Sequence, residues 1–131
     1  MIRTISLFAL LTIALFSCKK DKEEDHADFS GSITVTAPAE NSTITGGNTF
    51  LVTGSIEGNT EMHGYMLTVY NQNDQSIVYN NTLDAHSETY TLNETVTHTL
   101  TAATPLRLVI EVEVDHDGES MTKEVLFNYQ P

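Results

Sequence analysis

From Phe29 to the C-terminus, apolar and polar residues alternate with a period of two, the pattern of half-buried β-strands and not of helices. Residues 32–37 place Ile33 and Val35 on one face, and 49–56 do the same for Phe50, Val52 and Ile56. Residues 63–70 align Tyr65, Leu67 and Val69. A short strand follows at 77–80, then 87–92 with Tyr90 and Leu92 together. Residues 106–114 give the clearest alternation, with Leu106, Leu108, Ile110, Val112 and Val114 on one side and Arg107, Glu111 and Glu113 on the other. The last strand, 121–129, aligns Met121, Val125, Phe127 and Tyr129. Between these runs lie Pro38, Asn41-Ser42, Gly46-Gly47, the polar stretch 71–75, Pro105 and Asp117-Gly118, all turn chemistry. Thr43-Ile44-Thr45 is a short extra strand, and 94–104 reads as a turn of helix or an extended loop.

About seven short strands separated by turns, in roughly 100 residues, predict an all-β, immunoglobulin-like antiparallel β-sandwich. A jelly-roll-like sandwich or a small barrel is the alternative. The run from Ile33 to Tyr129, with its opening strand, proline and glycine-bearing loop, resembles bacterial immunoglobulin-like modules. The Cys and Trp hallmarks of antibody domains are absent, and no internal repeat is present.

The N-terminal residues follow a different pattern. Ile2 to Phe16 is nearly all apolar, Arg3 precedes it, and the small Ser17 stands before Cys18. That is a secretory signal, too short for a membrane-spanning helix. Leu15-Phe16-Ser17-Cys18 resembles a bacterial lipobox, which implies cleavage before Cys18, lipidation of Cys18 and attachment of the mature chain to a membrane. Lys19 to Asp28 has no apolar periodicity and reads as a charged tether, with no role expected for His26. It resembles the lysine-then-acidic stretch that follows the lipid cysteine in surface-exposed lipoproteins of the Bacteroidota. The resemblance implies an outer-membrane lipoprotein facing the periplasm or the cell exterior. The expected organisation is thus a signal peptide at 1–17, a lipidated cysteine and tether at 18–29, and a sandwich domain at 30–131.

Composition narrows the function. Cys18 is the only cysteine, so no disulfide staples the domain and its stability must come from a core. Acidic residues outnumber basic ones 18 to 6, and only Arg107 and Lys123 are basic beyond Lys22. Such a surface repels phosphate backbones, which excludes nucleic acid as a partner, and it concentrates cations.

The histidines supply the candidate chemistry. In the predicted sandwich, the second-to-third, fourth-to-fifth and sixth-to-seventh connections share one end. His63, His86 and His116 fall on those connections. By parity each continues the inward row of its strand: His63 with Tyr65, His86 with Tyr90, and His116 with Val114. Three imidazoles over one mouth, with Met121 or Asp117 as a further donor and Met62, Asp115 and Asp117 on the rim, are a candidate site for zinc or copper. A thioether favours Cu(I); a carboxylate favours Zn²⁺ or Cu(II). The competing reading is that each histidine caps the core with a backbone hydrogen bond. His98 belongs to the opposite end and is read as structural or exposed. The sequences around His63-Gly64-Tyr65 and Asp115-His116-Asp117-Gly118 resemble a family of Bacteroidota lipoproteins with a histidine-bearing immunoglobulin-like domain, a family that brings no activity to carry over.

Catalytic patterns are missing. No serine sits in Gly-x-Ser-x-Gly, and Glu111 and Glu113 share one outward face instead of flanking a cleft. Asp115, Asp117 and Glu119 lack the twelve-residue calcium-loop pattern. The tyrosines at 65, 90 and 129 match inward rows and read as core, and the Asn-x-Ser/Thr frames at 41, 80 and 93 as chance. The expectation is a membrane-anchored, non-catalytic binding domain that takes metal at the histidines. The alternative is a cell-surface protein- or glycan-interaction module with no metal.

Overall fold

A computed structural model describes residues 28–115 and 118–131. The signal segment, Cys18, the tether as far as residue 27, His116 and Asp117 therefore lie outside the described residues. Six strands and no helix are present among the described residues: β1 (Gly31–Ala37), β2 (Thr43–Thr45), β3 (Thr49–Asn71), β4 (Ile77–Thr97), β5 (Thr104–Glu113) and β6 (Ser120–Gln130).

Strand pairing divides these elements between two layers. The first half of β3 pairs with β1 on one side and with the second half of β4 on the other, both antiparallel. The second half of β3 pairs with the first half of β4 and with β5; β6 follows β5, and β2 runs parallel to β6 at the edge. This is an immunoglobulin-like sandwich. The sequence pattern predicts separate strands at 49–56 and 63–70, and again at 77–80 and 87–92. In the structure each pair is one long strand that bends from one layer into the other, so the predicted loops are corners. The stretch 94–104 holds no helix: β4 runs on to Thr97, and the chain then crosses extended to β5.

The inward rows read from the sequence form the core. Phe50, Val52 and Ile56 from β3, Leu106, Leu108, Ile110 and Val112 from β5, and Val125, Phe127 and Tyr129 from β6 are buried. Phe50 meets Phe127 edge-on at 5.5 Å between centroids, and Tyr65 meets Tyr90 likewise at 5.5 Å, so aromatic pairs join the two layers. At the open side Glu94 of one layer accepts hydrogen bonds from Tyr79 and, at 3.0 Å, from Asn81 of the other.

Candidate functional site at the histidine corners

The end of the sandwich that carries the candidate site is built by the corners of β3 and β4. Regular pairing runs as far as Glu57↔Thr89 and resumes with Met62↔Ser87 and Gly64↔Asp84, with register shifts between 57 and 62 and between 62 and 64. Four residues of β3, 58–61, thus face a single residue of β4, Glu88, and such bulges bend a strand. Gly64 permits the second shift. Its φ is +137°, and a Cβ placed there would fall 2.1 Å from the Leu83 carbonyl oxygen, so only glycine lets β4 approach this closely.

Three polar contacts clamp the corner to the segment just before β1. Ser30 N–H donates to Asn59 Oδ1 at 2.9 Å, Asn59 N–H donates to the Ser30 carbonyl at 2.9 Å, and Asn59 Nδ2 donates to the Asp28 carbonyl at 3.2 Å. Inside, the Tyr90 hydroxyl lies 2.9 Å from the Met62 carbonyl oxygen and 2.5 Å from that of Ala85. These are the residues immediately before His63 and His86, so one phenol ties both histidine-bearing segments together. Burial pushes the Tyr90 pKa up, which keeps it a neutral donor.

Held in this way, His63 and His86 stack, with ring centroids 4.4 Å apart and planes 14° from parallel. His86 Nδ1 stands 3.1 Å from Glu61 Oε1. His63 is half-buried, and its Nδ1 has no solvent-exposed surface. Both rings line a hollow of about 660 Å³ that also takes in Tyr65, Met66, Leu83 and Gly64. Asp84, Glu111, Glu113 and Glu119 border it, and no lysine or arginine lines it among the described residues. The local charge therefore favours a cation.

The structure corrects the orientation expected from parity. His63 and His86 do not continue the inward rows. Met62, placed on the rim by the sequence reading, is fully buried, and the register shift between Met62 and Gly64 breaks the alternation at His63. The His86 side chain is 50% exposed, while its neighbour Ala85 packs against the core. Met121 lies opposite Val112 and lines a separate hollow with Gly31 and Ile33. Asp115 lies just past β5, and its carboxylate accepts the Glu119 N–H at 3.1 Å. His116 and Asp117, the remaining members of the predicted set, lie outside the described residues. Among the described residues no group of three or more His, Cys, Asp or Glu side chains is arranged to hold a metal ion. Glu61 was missed by the sequence reading, because a glutamate in a polar stretch looks like any solvated one.

His98 occupies the opposite end and is buried, not exposed. Its ring packs against Phe50 at 5.8 Å and edge-on to Tyr129 at 4.5 Å, while Nδ1 accepts the Leu100 N–H at 3.3 Å. Burial holds its pKa below the ordinary histidine value.

No protein-family model matches the chain, and no curated protein matches it. Among solved structures it is similar to the fibronectin(III)-like modules of Clostridium thermocellum CbhA, with 14% identity and a TM-score of 0.45 over 76% of this chain and 96% of that one.

Proposed function

We propose that this chain is a lipid-anchored, non-catalytic binding module of the bacterial outer membrane, facing the periplasm or the cell exterior, and that it takes zinc or copper at His63, His86 and His116. The observation that carries the reading is the stacked pair His63–His86, brought together from two strands inside an acidic hollow. Two imidazole nitrogens on one tetrahedral ion stand about 3.3 Å apart, given bonds of about 2.0–2.1 Å. Rings stacked at 4.4 Å reach that spacing by a modest tilt. His116 follows β5 in the sequence, and Glu113 of that strand lines the same hollow, as do Gly118 and Glu119. Imidazole suits both metals, and a carboxylate from the rim would favour Zn²⁺ or Cu(II).

A second reading has its own support. Met66 and Leu83, 36% and 38% exposed, border the hollow, and such apolar side chains would serve a protein or glycan partner without metal.

Thermal melting of the full chain in detergent, carrying Cys18→Ala to remove the competing thiol, separates the two. A metal that binds only the folded state stabilises it by about 2.7 kcal/mol at a hundredfold excess over Kd. That gain is expected with Zn²⁺ or Cu²⁺, and is expected to vanish in His63→Ala, His86→Ala and His116→Ala while persisting in His98→Ala. No rise with either metal leaves the interaction module. The anchor has its own test: the parent should carry the mass of a lipid on Cys18, and the Cys18→Ala chain should carry none.

A further inference from the structure

We propose that Glu61 is the positioning residue of this site: its carboxylate fixes His86 in the tautomer that carries hydrogen on Nδ1 and so makes Nε2 the metal-donating atom. The inference rests on the metal reading above and adds a residue to it.

The argument begins with the 3.1 Å contact between His86 Nδ1 and Glu61 Oε1. An ionised carboxylate only accepts hydrogen bonds, so the nitrogen facing it must be the one that carries hydrogen. In neutral imidazole the other nitrogen is then the lone-pair donor. Metal-bound histidines are commonly held in this way, with the distal N–H on a carboxylate that orients the ring. Two independent constraints thus act on His86. Glu61 holds its Nδ1 edge, and the ring of His63 covers one face within 14° of parallel. Glu61 can do this because its own backbone is held on both sides: Asn59 is clamped to Ser30 and Asp28, and the Met62 carbonyl accepts from Tyr90.

Exposure sharpens the assignment. The two side chains are 50% and 62% exposed, and ion pairs so open to water add little to folding. A carboxylate kept there for stability alone would be nearly dispensable; one kept to aim a ring should show in the ring's chemistry.

The test uses the full Cys18→Ala chain in detergent at neutral pH, with Zn²⁺ as the probe and nitrogen NMR of the metal-free protein as a second readout. Glu61→Ala should shift the His86 population from the Nδ1–H toward the Nε2–H tautomer. It should weaken Zn²⁺ binding by about 10–100-fold while leaving the stoichiometry and melting temperature of the metal-free chain unchanged. Glu113→Gln, which alters a carboxylate of the hollow and keeps the Glu61–His86 contact, should leave the tautomer as it was. If His86 keeps its tautomer in Glu61→Ala, or if that variant binds Zn²⁺ as tightly as the parent while His63→Ala does not, the assignment of Glu61 is wrong and the metal reading stands. If the parent takes up no Zn²⁺, the metal reading fails and this assignment with it.

Discussion

Replacing Tyr90 by phenylalanine removes one oxygen atom from between the two histidine corners, and the structure allows the cost to be worked out. That hydroxyl is buried and sits 2.9 Å and 2.5 Å from the carbonyl oxygens of Met62 and Ala85. The ring can stay where it is, packed edge-on to Tyr65, so little apolar contact changes. What is lost is a hydrogen-bond donor shared by two acceptors in a place that water does not readily reach. A typical net hydrogen bond contributes about 0.5–1.5 kcal/mol, and stranding a buried partner costs about 1–3 kcal/mol, so a loss of about 2 kcal/mol is expected. For a domain of this size that corresponds to a fall in Tm of about 8 °C or more. Urea unfolding should show a lower midpoint with an unchanged slope, since the surface exposed on unfolding is the same. An internal reference exists at the other pole, where the Tyr129 hydroxyl donates to a single acceptor, the Gly47 carbonyl, at 2.8 Å. Tyr129→Phe should cost about 1 kcal/mol, roughly half as much. The Tyr90 variant should also weaken the proton NMR contacts between the His63 and His86 rings, which Tyr129→Phe should leave intact. A Tyr90→Phe protein as stable as the parent, or one that keeps the ring contacts, would show that the phenol does not tie the corners.

Two other perturbations follow from named contacts. His98 is 4% exposed and its burial depresses its pKa, so between the ordinary value of about 6.5 and the folded value the unfolded chain binds more protons than the folded one. The contribution of neutral His98 is therefore complete above about pH 6.5 and is lost as pH falls through the folded pKa, at up to about 1.4 kcal/mol per pH unit. Melting curves of the parent should drop more steeply with acid than those of His98→Phe, and superimposable pH profiles would contradict this. Gly64→Ala should cost about 2–4 kcal/mol, from a backbone angle that side chains avoid and from a direct collision with the Leu83 carbonyl. Urea unfolding within about 0.5 kcal/mol of the parent would mean that the corner relaxes freely.

The strands were legible because a sandwich enforces a simple rule. Each strand buries one face, so its residues alternate, and the rows at 106–114 and 121–129 could be assigned before any coordinates. The same rule misled at the corners. Between Glu57 and Met62 the strand leaves one layer and joins the other, and the register slips a second time between Met62 and Gly64, inside the count that runs from Tyr65 to His63. Counting back from Tyr65 therefore put His63 over the core, when Met62 fills that space. The sequence does carry a warning at this point. Gly58 and Gly64 flank the polar stretch Asn59-Thr60-Glu61, and glycines inside a strand pattern are a sign of a bulge or a close backbone approach. Taken as such a sign, Gly64 would have broken the parity count between Tyr65 and His63.

The meeting of His63 with His86 was legible for a different reason: it depends on which connections share a pole, and strand order determines that whatever happens to parity. Glu61 was not legible in the same way, because its contact with His86 depends on side-chain direction within the bulge, and nothing in local sequence encodes that direction. The corner thus separates two kinds of information. Topology brings distant segments to one end of the sandwich, and the local backbone irregularity decides which side chains there can touch. A change that keeps topology but straightens the bulge, such as removing residues 58–60, should preserve the sandwich and its core rows yet part Glu61, His63 and His86. The reverse does not hold, since no adjustment of the corner could recruit His98, which packs between Phe50 and Tyr129 at the far pole.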